Sequence, residues 1–283
     1  MNETQLTAEG SISPPQSAEQ NPPAEPWFGS PMGFVNSIFE WFGGIGVFSW
    51  QVLRAAATPP YEWGELIRQL DEVGSKSVPL VAMAGAAIGV VLSMEARSSL
   101  THFGAKAMLP SAIVYSVVQE MGPIITSLVV SGRVGAGIGA ELASMKVTEQ
   151  IDAIEASALN PYRLLAATRI LACILMLPLL TIGADACGVF MGWLTSTITD
   201  PISMRQFIDA GFKGATFNAL LPPTFKTAVF GMIIGTIACF QGMKTQGGAA
   251  GVGRAATESV VLSSLFVILA DVVLVKFILV FFP

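Results

Sequence analysis

Charged side chains interrupt several long apolar stretches of this sequence, and their chemistry needs an explanation. They are Glu120, Asp185, Lys226, Asp271 and Lys276. A charge at the centre of a bilayer costs about 2.5 to 3.5 kcal/mol on insertion scales, so such a residue usually faces a cavity or a partner. Each of these side chains is therefore a candidate for binding an ion or a polar group.

Glu120 and Lys226 lie at similar depths in two of the apolar stretches. They could form a buried salt bridge that fixes the register of two helices, or they could line a cavity and meet the charged head of an amphiphile. Pro123 follows Glu120 closely. Because proline has no N–H, it frees a backbone carbonyl and kinks the helix near that level. The pattern leaves both interpretations open.

The other three charges have simpler interpretations. Asp185 lies among small residues, which let a second helix approach closely, so we expect it to pack between helices. Asp271 and Lys276 are on one predicted helix, and Lys276 can extend toward the membrane surface. We interpret that pair as structural.

A metal centre or a catalytic site finds little support. His102 is the only histidine, and the cysteines lie in apolar stretches at no metal-ligand spacing. There is no His-Glu-x-x-His or Gly-x-Ser-x-Gly motif, and no Gly-Lys-Ser/Thr follows the glycine-rich segment. We therefore expect no metal, cofactor or nucleotide bound by this chain and no enzymatic activity of its own.

Composition indicates an integral membrane protein. Hydrophobic residues make up 52% of the 283 residues and charged residues 12%, against about 25% charged in soluble proteins. Residues 1–26 differ, because they are acidic, rich in proline and poor in apolar side chains, and we expect a disordered tail. That tail contributes to the net charge of −5, which gives no indication of a nucleic-acid partner.

Five stretches have the roughly 20 apolar residues that a membrane-spanning helix needs. They are residues 78–94, 111–130, 170–193, 220–240 and 260–281. Residues 27–57, rich in aromatic side chains but interrupted by glycines, predict a helix in the membrane interface, with a re-entrant or spanning segment as the alternative. Residues 62–76 predict a second surface helix. The predicted fold is an all-α membrane protein with interfacial helices at 27–77 and a five-helix domain at 78–283.

Basic residues set the expected orientation, because cytoplasmic loops carry more lysine and arginine than outer loops. If the N-terminus is cytoplasmic, the inner segments hold the larger share of the bases. Five spans then put the C-terminus on the opposite side of the membrane. This orientation places residues 131–169 in the cytoplasm.

The segment 132–160 combines two patterns. Gly132, Gly135 and Gly139 recur at steps of three and four, which predicts a helix face that a second backbone can approach. Thr148 is a plausible N-cap of a short helix, in which acidic side chains share one face and isoleucines a neighbouring face. The acidic residues are Glu149, Asp152 and Glu155. This helix could dock into a groove of a soluble partner, or it could be an ordinary solvated surface helix.

Several motifs lie in and around this segment. They are Glu120-x-Gly122-Pro123, Ser131-Gly132-Arg133-Val134-Gly135-Ala136, Ala140-Glu141-Leu142, Val147-Thr148-Glu149-Gln150-Ile151-Asp152-Ala153, Asn160-Pro161, Lys226-x-x-x-Phe230 and Gly251-Val252-Gly253-Arg254-Ala255. Together they resemble the signature of the MlaE/YrbE permeases, the membrane subunits of ABC lipid transporters that work with MCE-domain proteins. The similarity runs from about residue 78 to the C-terminus.

The resemblance implies a homodimeric permease of the bacterial inner membrane, with an amphipathic N-terminal helix and a cytoplasmic coupling helix between the second and third spans. It also implies a separate ATPase that binds ATP and Mg²⁺, an MCE-domain protein on the periplasmic side, and a phospholipid-like substrate in a cavity at the dimer interface. The residues implied in ATPase coupling are Glu141, Lys146, Glu149, Asp152 and Glu155.

The residues implied in the substrate cavity are Gln119, Glu120 and Lys226. Many members of the family have arginine where this chain has Gln119, and the difference removes one cation from the expected cavity. Headgroup recognition by an Arg-Glu pair is therefore not expected in this chain.

An ion-coupled secondary transporter is the alternative of a different class. In such a transporter, Glu120, Lys226 and Asp271 would relay protons or ions. These proteins often show internal repeats, with broken helices in matching positions of two halves. The five predicted spans show no such repeat, so the sequence favours the permease hypothesis.

Overall fold

The computed structural model describes residues 31–57, 62–213 and 217–281, which are helical along most of their length and contain no strand. The chain divides into two compact units between Gly43 and Gly44. The described part of the first unit is helical, and in it the rings of Trp41 and Phe42 meet edge to face at 5.2 Å. The contacts and sites discussed below belong to the second unit, Gly44–Pro283.

The helices follow one another along the chain with short connections. They are α1 (Pro31–Ala56), α2 (Trp63–Val73), α3 (Val78–His102), α4 (Leu109–Ser116), α5 (Gly122–Val130), α6 (Ala136–Val147), α7 (Gln150–Ala156), α8 (Thr168–Thr199), α9 (Met204–Gly211), α10 (Phe217–Met243) and α11 (Gly248–Phe281). Three π-helical turns, Val117–Met121, Ser131–Gly135 and Tyr162–Ala167, join α4 to α5, join α5 to α6 and lead into α8.

Five stretches of the described residues are long and apolar enough to cross a membrane, which confirms the number of predicted spans. They are Trp63–His102, Lys106–Val147, Tyr162–Ile198, Leu221–Met243 and Gly248–Val280. The second stretch has 42 residues and a length of roughly 60 Å at about 1.5 Å per residue, twice the hydrocarbon thickness of a bilayer. Residues 132–147 therefore continue the helix of the second span.

The aromatic stretch near the N-terminus is helical from Pro31 to Ala56, and its glycines do not interrupt the helix. In the second unit this helix has two faces, because Phe48 and Val52 are buried while Trp50 and Leu53 are exposed. The ring of Phe48 packs against Tyr162 and Phe240, at centroid distances of 5.8 and 5.7 Å. The predicted tail, residues 1–26, and residues 27–30 lie outside the described residues.

Helix α8 lies between α3 and α10 and forms the centre of the bundle. Its backbone approaches α3 so closely that a Cβ added at Gly85 or Gly89 would overlap the carbonyl oxygen of Ala184 or Gly188. Small residues permit such close helix contacts in membranes. The small neighbours of Asp185 therefore act as predicted, by admitting a second helix.

Candidate functional site

A cluster of three charged side chains joins the second, fourth and fifth spans. The Lys226 Nζ atom lies 2.9 Å from the Glu120 Oε2 atom and 2.9 Å from the Asp271 Oδ1 atom. The Lys226 side chain is 1% exposed and that of Asp271 8%, whereas that of Glu120 is 37% exposed. The cluster is thus closed on the Lys226 and Asp271 side and open at Glu120.

Local backbone chemistry explains where Glu120 lies. Pro123 has no N–H to donate within its helix, and just before it the Gly122 N–H donates to Val117 O, which closes a π-helical turn. Such single turns are frequent at functional sites, because they insert one extra residue into the helix. Glu120 lies in this turn and extends toward Lys226 on α10.

The cluster contains one cation and two carboxylates. Lys226 is almost fully buried, and a buried ammonium group needs its ion partners because it has left water. Glu120 adds a half-exposed acceptor to the same group. Chemically, the cluster can hold the helices together and can present a carboxylate to a polar or cationic group that reaches Glu120.

Gln119 is half-buried beside Glu120 and takes no part in the ion pairs of the cluster. One groove in the structure lies elsewhere, at the end of the bundle formed by α6 and α7, which we call the α6–α7 end. Within one chain, therefore, Gln119 and Glu120 do not line that groove.

Asp271 and Lys276 do not pair with each other. Asp271 is buried and binds Lys226 on another helix, while Lys276 is exposed. Residues five apart on an α-helix do not face the same side, since only steps of three and four bring side chains together. The pairing depends on how α10 and α11 are rotated, which spacing along one helix cannot reveal.

Asp185 is buried against the residue that ends the first π-helical turn. A Cβ added at Gly122 would overlap the Asp185 Oδ1 atom, so a larger residue there requires the Asp185 side chain to move. The Oδ1 atom has no hydrogen-bond partner in the part of the chain that the structure describes. Asp185 thus packs between helices, as predicted, but directly beside the turn that carries Glu120.

The residues implied in ATPase coupling lie at the α6–α7 end, and two ion pairs involve them. Glu141 is exposed on one side, and its Oε1 atom lies 2.9 Å from the Arg169 Nη2 atom at the start of α8. Lys146 and Asp152 pair with each other at 2.6 Å and so connect α6 to α7. The acidic residues Glu149, Asp152 and Glu155 are all exposed.

Thr148 does not cap α7, so that prediction is wrong. Its hydroxyl donates to Ser144 O and completes the end of α6. Glu149 precedes α7 with a φ of 57°, a left-handed conformation that is uncommon outside glycine. This residue turns the chain back, so α7 is a separate helix of seven residues that buries Ile151 against the rest of the chain.

The predicted glycine face is only partly used within one chain. A Cβ at Gly139 would overlap Ser259 Oγ on α11, and one at Gly135 would lie 3.5 Å from the Ile234 Cγ2 atom on α10. A Cβ at Gly132 would meet no atom within 4 Å, so Gly132 is not a packing position inside this chain. The first glycine of the motif instead faces outward.

For two arginines at the α6–α7 end, the sequence predicted no role of their own. Arg133, in the second π-helical turn, donates from Nη1 to Ser77 Oγ at 2.7 Å and so connects the second span to the start of the first. Arg169 is 1% exposed. A base directly beside a long apolar stretch is the signal that could have found Arg169, but such bases are also expected at any inner end of a span.

A groove of about 560 Å³ opens beside Arg169. Its lining comes from α2, α6, α7 and the approach to α8, and it includes Glu65, Arg68, Glu141 and Arg169. Groups of three or more metal-ligating side chains do not occur in the described ranges of the chain. The groove is therefore a charged surface feature, and the described residues around it do not form a set of metal ligands.

Comparison with known proteins gives a consistent result. The family described as Permease MlaE matches residues 66–277. A probable ABC transporter permease protein of Rickettsia typhi is 34% identical over 81% of this chain and 88% of its own length. A probable ABC transporter permease protein of Synechocystis is 31% identical over 72% and 78% of the two chains. The Arabidopsis thaliana protein TRIGALACTOSYLDIACYLGLYCEROL 1, described as chloroplastic, is 30% identical over 85% and 69%.

Proposed function

The chain belongs to the MlaE permease family, and from that premise we propose that it is the homodimeric membrane subunit of an ATP-driven transporter of phospholipid-like lipids. It resides in the bacterial inner membrane with a cytoplasmic N-terminus and a periplasmic C-terminus. A separate ATPase binds ATP and Mg²⁺, and an MCE-domain protein exchanges lipid with the permease on the periplasmic side.

The ion cluster of Glu120, Lys226 and Asp271 is the observation that supports a lipid substrate. The half-exposed Glu120 offers a carboxylate in the middle of an apolar bundle, where the polar head of an amphiphile would otherwise be unpaired. A relative whose name contains a glycerolipid points to the same class of substrate. The cavity forms where the open side of the cluster meets a second copy of the chain.

The exposed acids Glu149, Asp152 and Glu155 support an ATPase contact at the α6–α7 end. Because the apolar side chain of Ile151 is buried within the chain, the contact is polar, with these carboxylates meeting basic residues of the ATPase. Reversing the charge of Glu149 and Asp152 should abolish co-purification of the ATPase. If the ATPase still co-purifies with this variant, then α7 is not part of the ATPase interface.

Native mass spectrometry after mild-detergent purification tests the whole assembly. We expect two copies of the permease together with an ATPase, an MCE-domain protein and retained phospholipid. A permease that leaves the membrane without any nucleotide-binding subunit would contradict the proposal.

Transport measurements test the cavity. In the complete complex, Glu120→Gln and Lys226→Ala should each reduce lipid movement, whereas the exposed Lys276→Ala should not. If both cluster variants transport lipid normally, the cluster only holds the helices together.

Ion-coupled secondary transport is the second candidate, because the structure brings Glu120, Lys226 and Asp271 into one cluster. A buried ion cluster of this kind could relay protons. Lipid movement by the purified complex, driven by ATP in the absence of any ion gradient, would exclude it. Dependence on a proton or sodium gradient would favour it over the permease proposal.

A further inference from the structure

Arg169 stands out at the α6–α7 end as a fully buried guanidinium group with a single ion-pair partner in the described part of the chain. Its Nη2 atom lies 2.9 Å from the Glu141 Oε1 atom, and its Nη1 donates to Leu165 O at 2.9 Å. The Nε atom is buried and has no hydrogen-bond partner among the described residues. Glu141 is therefore the carboxylate in direct contact with Arg169, and Glu65 lines the same groove.

The two partners differ in solvent exposure. Arg169 is 1% exposed and fixed at the start of α8, whereas Glu141 is 48% exposed and borders the groove beside α7. A buried charge that loses its ion-pair partner is strongly unfavourable. Any displacement of α6 that pulls Glu141 away is thus opposed unless the start of α8 follows.

The elements joined by this pair are those that a coupling movement has to link. Glu141 is on the helical extension of the second span, and Arg169 begins the third. Arg133 holds the same extension to the first span through Ser77, and the Lys146–Asp152 pair holds α7 to α6. Of these contacts, the one between Glu141 and Arg169 reaches the central helix of the bundle.

We propose that Arg169 is a positioning residue that, through Glu141, makes the α6–α7 segment and the start of the third span move as one body. A push on α7 then reaches α8 directly as well as through the second span. Glu141, which the family resemblance implied to be an ATPase contact, acts inside the permease instead. This inference rests on the proposed function, because it requires an ATPase that moves α7.

The test compares lipid transport with ATP hydrolysis in the purified, complete complex. The variants are Glu141→Gln, Arg169→Gln, Arg169→Lys and the exchange Glu141→Arg/Arg169→Glu, with Asp71→Asn as the control because Asp71 is exposed on α2 at the same end. The probe is fluorescently labelled phosphatidylethanolamine in vesicles of phosphatidylethanolamine and phosphatidylglycerol. The quantity compared is lipid moved per ATP hydrolysed.

We expect Glu141→Gln and Arg169→Gln to keep the ATPase bound and active while lipid moved per ATP falls at least about fivefold, the lower end of typical coupling between sites. Arg169→Lys and the exchanged pair should recover part of the loss, and Asp71→Asn should match the unmodified chain. A merely structural pair would reduce the amount of folded complex, and with it both rates in proportion, leaving their ratio unchanged.

Two results would overturn the inference. One is an unchanged ratio in folded Glu141→Gln complex. The other is loss of the ATPase from Glu141→Gln while Arg169→Lys retains it, which would make Glu141 an ATPase contact. If Arg169→Gln does not fold, Glu141→Gln and Arg169→Lys decide the question. Failure of the proposed function would be seen separately, as an unmodified complex that lacks an ATPase or moves no lipid.

Discussion

At the scale of single residues, Lys226 is the cation that pairs with two carboxylates on two other helices. Asp271 is buried with it, while Glu120 is partly open to its surroundings. The members of one cluster therefore differ in their access to solvent. The Lys226–Asp271 contact is the buried part, and Glu120 is the exposed part.

Replacing Lys226 by methionine should destabilise the chain by about 3 to 5 kcal/mol, the usual loss when a buried pair is broken by removing one partner. The combined change Lys226→Met, Glu120→Gln and Asp271→Asn should recover most of that loss, because no uncompensated charge is left. Thermal unfolding in detergent measures both, with Lys276→Met as an exposed control. Equal stability of the single variant and the unmodified chain would show that the cluster contributes nothing to folding.

Gly122 permits a second residue-scale prediction. Gly122→Ala places a methyl group on Asp185 Oδ1, and overpacking of this kind typically costs about 1 to 3 kcal/mol. Adding Asp185→Ala removes the oxygen and should restore part of the stability. The melting temperatures of the two variants provide the comparison. If the double variant melts below Gly122→Ala, the close approach is not the source of the loss.

At the scale of elements, the contact between α3 and α8 depends on backbone reaching backbone. Gly89→Ala would place a Cβ against Gly188 O, which cannot move aside as a side chain could. The same change at Gly183, on α8 itself, meets no atom within 4 Å. Expression and melting temperature should fall for Gly89→Ala and stay unchanged for Gly183→Ala. Equal behaviour of the two variants would contradict the packing described here.

The five spans could be predicted because apolar length alone identifies a membrane helix. The sequence also indicated that Glu120 and Lys226 could pair, since matching depth in two spans is visible in a linear pattern, but it left lining of a cavity as the alternative. The partners of Asp271 and Glu141 could not be predicted, because they depend on the rotation of separate helices. The turn at Glu149 could not be predicted either, because a φ of 57° is unusual for a glutamate.

At the scale of the whole molecule, the orientation of the bundle can be measured directly. Five spans require the two ends of the domain to lie on opposite sides of the membrane, and the basic residues favour a cytoplasmic N-terminus. Alkaline phosphatase fused to the C-terminus should be active in cells, whereas green fluorescent protein at the same site should stay dark. Fusion at the N-terminus provides the matched control, with the opposite result. A fluorescent C-terminal fusion would reverse the proposed orientation.

The π-helical turns at Val117–Met121 and Ser131–Gly135 have a consequence for the evolution of this chain. Each turn carries an extra residue, and one residue corresponds to about 100° of rotation around an α-helix. Deleting a single residue from either turn would leave the hydropathy of the second span almost unchanged, yet it would swing Glu141 away from Arg169. Single-residue deletions in these two turns should therefore be selected against far more strongly than their composition suggests.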